Sequence, residues 1–241
     1  MIEPRKLAAE GIGTALLLAV VVGSGIMGER LAVGNAAIAL LANSIATGGG
    51  LYALILVFGP VSGGHFNPVV TLVAGLRREL APRTAVGFVV VQVAGALVGV
   101  AGAHFMFDLP IYSVSTHVRT GVGQWFSEFI ATFGLLLVIL SCVKHRPHAV
   151  PLAVGAYIAS AYWFTASTSF ANPAVTFARA FTNTFAGIYP GDVVGFVVAQ
   201  TFAAGVAFVF FGWLSKGRET VPTPPVPTLR DRPDDELHAR T

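Results

Sequence analysis

His65-Phe66-Asn67-Pro68-Val69-Val70-Thr71 (HFNPVVT) lies inside a run, residues 31–76, that contains no Asp, Glu, Lys or Arg. Ala171-Asn172-Pro173-Ala174-Val175-Thr176 (ANPAVT) repeats the pattern inside a second uncharged run, residues 147–178. Such runs suit lipid, yet Asn-Pro interrupts a continuous helix. Asparagine is a strong helix N-cap, and proline is favoured at the first helical position. Both pairs therefore read as helix starts. The new helices reach about 9–10 residues before Arg77-Arg78 and before Thr182-Asn183. At about 1.5 Å per residue each covers roughly half a bilayer core.

The remaining sequence agrees with a membrane setting. The 241 residues are 54% hydrophobic and 11% charged, with a mean hydropathy of +0.73. Soluble domains carry about 25% charged residues. The net charge of +3 is small, and the basic residues are first a matter of topology; no nucleic-acid partner is indicated. A lone cysteine, Cys142, excludes an internal disulfide framework. A span needs about 20 apolar residues. Spans are expected at 11–28 (extending back toward Leu7), 33–58, 84–107, 129–143 with the preceding 121–128, 150–167, and 193–215. Each long uncharged run thus holds one full span and one half-helix. Irregular backbone at membrane depth survives only beside protein or a watery cavity. Residues 62–65 (SGGH) and 167–171 (STSFA) are therefore expected to line a cavity.

The halves repeat. AEGIGTALLL at 9–18 matches SEFIATFGLLL at 127–137, with Glu10 and Glu128 each four residues before a threonine. VQVAGALVG at 91–99 matches AQTFAAGVA at 199–207. Three spans per half invert the second half relative to the first. The expected channel domain is 1–215, with repeat halves near 5–107 and 121–215 and a disordered, Pro-rich cytoplasmic tail at 216–241. Nine Lys and Arg residues fall in loops on one side, against Arg30, Arg119 and Arg179 on the other. This charge asymmetry predicts that both termini are cytoplasmic.

Two half-helices entering from opposite faces bring their positive N-terminal ends together near the midplane. Each capping asparagine uses its carbonyl for the helix and keeps its NH2 for the lumen. Backbone carbonyls of Gly63, Gly64, His65, Phe170 and Ala171 supply acceptors. The expected result is a path for small neutral solutes that repels cations. No metal-ligand cluster, cofactor motif or nucleophile–base spacing appears, so an enzyme is not indicated.

SGGHFNPVVT, FANPAVTFAR, the paired Glu-xxx-Thr segments and the Gln92 and Gln200 segments resemble the aquaporin (major intrinsic protein) family over roughly residues 5–215. The resemblance implies an all-α, right-handed bundle of six transmembrane helices plus two re-entrant half-helices. It also implies one pore per subunit, homotetramers, and a multi-pass place in the cell's inner (plasma) membrane. The box residues are Asn67, Pro68 and Val69, and Asn172, Pro173 and Ala174. Asn67 and Asn172 would be the central pore donors.

The departures matter. The first box ends in Val69 where the family usually has alanine. Val175 stands where the filter usually has arginine. By spacing, the other filter positions fall at Thr47, Ser160 and Ser169, with Tyr162 and Trp163 beside them. Valine at the arginine position resembles a bacterial subgroup associated with arsenic-resistance genes. This implies passage of metalloid hydroxides such as arsenous acid beside water and glycerol-like polyols.

Glu10 and Glu128 have two readings. They brace the re-entrant loops by accepting backbone N–H groups, or they couple protons in a secondary transporter. Arg179 also has two: it rings the outer vestibule, or it points into headgroups and solvent. It lies one helical turn beyond Val175.

Overall fold

The computed structural model describes residues 3–216. The tail beyond Lys216 lies outside the described residues. Eight α-helices follow in order: α1 Pro4–Ala32, α2 Ala36–Ser62, α3 Pro68–Leu76, α4 Pro82–Met106, α5 Val122–His145, α6 Val150–Phe164, α7 Pro173–Ala178 and α8 Val193–Leu214. Five of these are long and apolar enough to span a bilayer. α6 has 15 residues and is extended backward by a 3-10 turn, Pro147–Ala149. The protein is an all-α membrane protein, a right-handed bundle of six transmembrane helices and two half-helices in an inverted repeat.

Local chemistry sets the helix ends. Proline occupies the first position of α1, α3, α4 and α7, where no N–H is needed. Asn35 caps α2 by accepting from Ala37 N and Ile38 N. The second half-helix is shorter than the sequence predicts. α7 ends at Ala178, and Arg179–Phe181 continues as a 3-10 turn. α6 likewise stops at Phe164, three residues short of the expected end.

Small residues let the helices approach. A methyl group at Gly95 would overlap the Gly11 carbonyl, and one at Gly99 would overlap the Ala15 carbonyl, so α1 and α4 pack backbone to backbone. Gly48 and Gly155 do the same between α2 and α6 and so join the two halves. Asn43 ties α2 to α1 by donating to the Val21 carbonyl and to Ser24 Oγ, both at 2.8 Å. The outward faces carry exposed apolar side chains such as Val90, Val98, Phe202 and Val209. In a soluble protein that surface would be unstable; against lipid it is matched.

Candidate functional site

The two Asn-Pro boxes meet back to back. Asn67 caps α3 by accepting from Val69 N at 3.1 Å. Asn172 caps α7 by accepting from Ala174 N at 3.0 Å and Val175 N at 3.3 Å. Each side-chain amide then crosses to the opposite loop. Asn67 Nδ2 donates to the Ala171 carbonyl and Asn172 Nδ2 donates to the Phe66 carbonyl, both at 2.8 Å. These crossed bonds refine the sequence-based expectation of NH2 groups wholly turned to the lumen. One N–H of each is spent on the opposite loop, and an NH2 has two. The acceptor carbonyls belong to the residues just before each asparagine. Phe66 and Ala171 can present them because both sit in the left-handed region, φ 47° and 48°.

The carboxylates stand behind the loops. Glu10 is fully buried. Its Oε1 accepts from Ser62 Oγ at 2.6 Å and His65 N at 2.9 Å, and its Oε2 from Phe66 N at 2.7 Å and Gln92 Nε2 at 2.8 Å. Glu128, also buried, accepts from Phe170 N and Ala171 N, each at 2.8 Å, and from Gln200 Nε2 at 2.6 Å. Gln92 and Gln200 in turn donate to Thr71 Oγ1 at 3.0 Å and Thr176 Oγ1 at 2.9 Å. A charged acceptor holding several backbone N–H groups is the arrangement that makes irregular backbone tolerable away from water. His65 bridges to Thr71 Oγ1 through Nδ1 at 3.0 Å.

A cavity of about 290 Å³ runs along this junction. At one end its wall holds Val73 and Ala74 of α3 and Glu79 just beyond it. At the centre it holds Gly63, Gly64, His65, Phe66, Asn67, Ala171 and Asn172. At the other end stand Thr47, Tyr162, Ser169, Phe170, Val175 and Arg179. Pro68, Val69, Pro173 and Ala174 form the first turns of the half-helices, and Val69 and Ala174 are buried in the bundle.

The structure therefore brings together Thr47, Ser169 and Val175, but not Ser160. Ser160 lies on the exposed side of α6 and donates to its own helix at Ala156 O, 2.8 Å away. α6 turns Val154, Gly155, Ile158, Ala161 and Tyr162 inward. Two positions farther along, Tyr162 faces the cavity and lies 3.2 Å from Thr47 Oγ1 through its hydroxyl. Trp163 is half-exposed and donates to Ser44 Oγ at 3.0 Å.

Arg179 is not in headgroups or solvent. It is 2% exposed, with its guanidinium carbon 3.4 Å from the centre of the Phe170 ring. Its Nε donates to the Ala186 carbonyl. Arg119, which sequence reasoning left unassigned, lies across the same ring at 5.2 Å. It pins the loop by donating to the carbonyls of Gly187, Ser167 and Phe185. No periodicity or box spacing marks it, because it reaches in from the long connection between α4 and α5.

The major intrinsic protein family profile matches residues 2–169. Over 210 residues the chain is 54% identical to aquaglyceroporin AqpS of Rhizobium meliloti (strain 1021), covering 87% of this chain and 90% of that protein. It is 29% identical over 206 residues to Aquaporin-5 of Ovis aries, covering 77% and 73%. The X-ray structure of the aquaglyceroporin from Plasmodium falciparum shares the fold, with a TM-score of 0.69 at 20% identity over 86% of this chain and 95% of that one. The profile stops just before the second box, and the crossed asparagines supply what it omits: the chain belongs to the major intrinsic protein (aquaporin) family.

Proposed function

We propose that the chain is a passive transmembrane channel for small uncharged solutes: water, glycerol-like polyols and metalloid hydroxides such as arsenous acid. One observation carries the reading. The two crossed asparagine amides sit in the wall of a single cavity that continues from α3 to α7. Each amide keeps one N–H for a passing oxygen. The two half-helix N-termini add positive potential at the same level, which disfavours cations. Gly63, Gly64, His65 and Phe170 would present carbonyls as replacements for lost hydration.

Several further observations support it. The 54% identical relative is named an aquaglyceroporin. Val175, in place of a bulky arginine, leaves more room at the Thr47–Tyr162 end, as passage of a polyol or a metalloid hydroxide requires. Glu10 and Glu128 have both oxygens occupied by hydrogen-bond donors, which suits braces and speaks against a proton-coupling role. We assign the channel to residues 1–215 and the filter to Thr47, Tyr162, Ser169 and Val175. The remaining features of the proposal are a homotetramer in the bacterial plasma membrane with both termini cytoplasmic. The loop charges and the bacterial relative support this placement.

The test is a stopped-flow panel on proteoliposomes. Water, glycerol and arsenous acid are expected to cross down their own gradients, with rates indifferent to an imposed proton gradient. Uphill movement driven by protons would overturn the channel and return Glu10 and Glu128 to a coupling role.

A further inference from the structure

Arg179 holds a position the channel reading leaves unused. It is buried, yet among the described residues only its Nε has a hydrogen-bond partner. The two Nη groups have none, and they are not among the polar atoms sealed from the surface. Arg179 itself forms part of the cavity wall. Its Nη groups therefore face the lumen. The Phe170 ring beneath the guanidinium fixes its plane. Ser169 lines the same stretch, but its hydroxyl is sealed from the surface, so the guanidinium supplies the open donors there.

No carboxylate pairs directly with the guanidinium among the described residues: the ion pairs there are Lys6–Glu3 and Arg77–Glu79. Glu79, the acid in the cavity wall, lies beyond α3 at the other end. Glu128 stands behind the loop with its oxygens taken by Phe170 N, Ala171 N and Gln200. Arg119 adds a second cation on the far side of Phe170.

We infer that the two Nη groups of Arg179 form a subsite in the pore that binds the paired oxygens of a small oxyanion, and that an ion held there obstructs water. Two Nη groups of one guanidinium match two oxygens of one solute, a geometry that a lone ammonium cannot copy. The subsite also makes Arg179 the charged specificity residue of this pore, reaching back from one turn beyond Val175. The inference rests on the channel reading.

The probe is methanesulfonate, which stays anionic and crosses lipid poorly. Water permeability of proteoliposomes is measured with sodium methanesulfonate or bulky sodium gluconate on both faces, at equal ionic strength and with a sucrose jump. In the wild type, methanesulfonate is expected to lower water permeability at least twofold and to saturate. Within Arg179→Gln the ratio of the two permeabilities should return to one. Arg179→Lys should keep only a weak response. A wild type indifferent to methanesulfonate, or an Arg179→Gln channel as sensitive as the wild type, overturns the subsite. Wild-type vesicles with no water flux above empty liposomes would instead overturn the channel on which it depends.

Discussion

The two re-entrant loops share one backbone and differ in chemistry. Gly63, Gly64 and Phe66 have positive φ before α3; Thr168, Ser169 and Ala171 have positive φ at the equivalent places before α7. The first loop meets that demand with two glycines, the second with a threonine and a serine. The same register pairs Val70 with Val175 and Ala74 with Arg179, and all four line the cavity. His65 corresponds to Phe170. Backbone symmetry thus sets where groups stand, while Thr47, Tyr162, Ser169 and Arg179 gather at the α7 end. A duplicated frame can hold one general passage and one selective constriction.

The sharpest way to break this symmetry is at the helix contacts. The places in α8 that match Gly95 and Gly99 of α4 hold Ala203 and Ala207, both fully buried. Gly95→Val should drive a side chain into the Gly11 carbonyl and abolish stable insertion, read as loss of detergent-stable protein. Ala203→Gly should leave the protein folded at a cost near 1 kcal/mol.

Glu10→Gln and Glu128→Gln compare the two braces. A neutral amide turns its NH2 toward groups that are themselves donors. Hydrogen bonds to charged groups contribute about 1.5–3 kcal/mol each. Glu10 accepts four bonds and Glu128 three, so Glu10→Gln should lower the thermal midpoint more. Equal shifts would mean that the Ser62 contact adds nothing.

Val175→Arg and Val70→Arg test whether selection is confined to one end. Arginine at 175 should cut the glycerol-to-water permeability ratio about tenfold, on the order of 1.4 kcal/mol in relative barrier. Arginine at 70 should slow both solutes together. An unchanged ratio in folded Val175→Arg would remove Val175 from the filter.

The smallest effect concerns backbone strain. Thr168, at φ 62°, is β-branched in the left-handed region. Thr168→Gly should stabilise by about 1 kcal/mol, whereas Gly63→Thr should destabilise by a similar amount. The readout is the midpoint of thermal aggregation. Stabilisation by both would contradict the shared backbone.

Much of the fold was legible because membrane depth simplifies it. Uncharged length counts spans, Asn-Pro marks helix starts, and the Glu-xxx-Thr repeat marks equivalent helices. The site was legible where a residue is tied to a box by a few helical positions, as Val175 is to Asn172. It failed where counting crossed irregular backbone. Ser160 is reached from the second box only by counting across the bend at 165–172, and a two-residue error turns a helical side chain about 200°. Arg179 was hard to place because a 3-10 turn replaces the last α-helical turn of α7. The crossed amides depend on left-handed Phe66 and Ala171, residue types that carry no turn signature.

Asn67 and Asn172 are proposed to act as an equivalent pair at the middle of a passive pore. This role is tested most directly by water and glycerol permeability of Asn67→Asp and Asn172→Asp, normalised to folded protein in the membrane. Aspartate still caps each half-helix but loses the crossing N–H and sets a carboxylate against the opposite carbonyl. At least a tenfold fall in both fluxes is expected for each variant, with similar size for the two. Full flux in either folded variant would contradict this role.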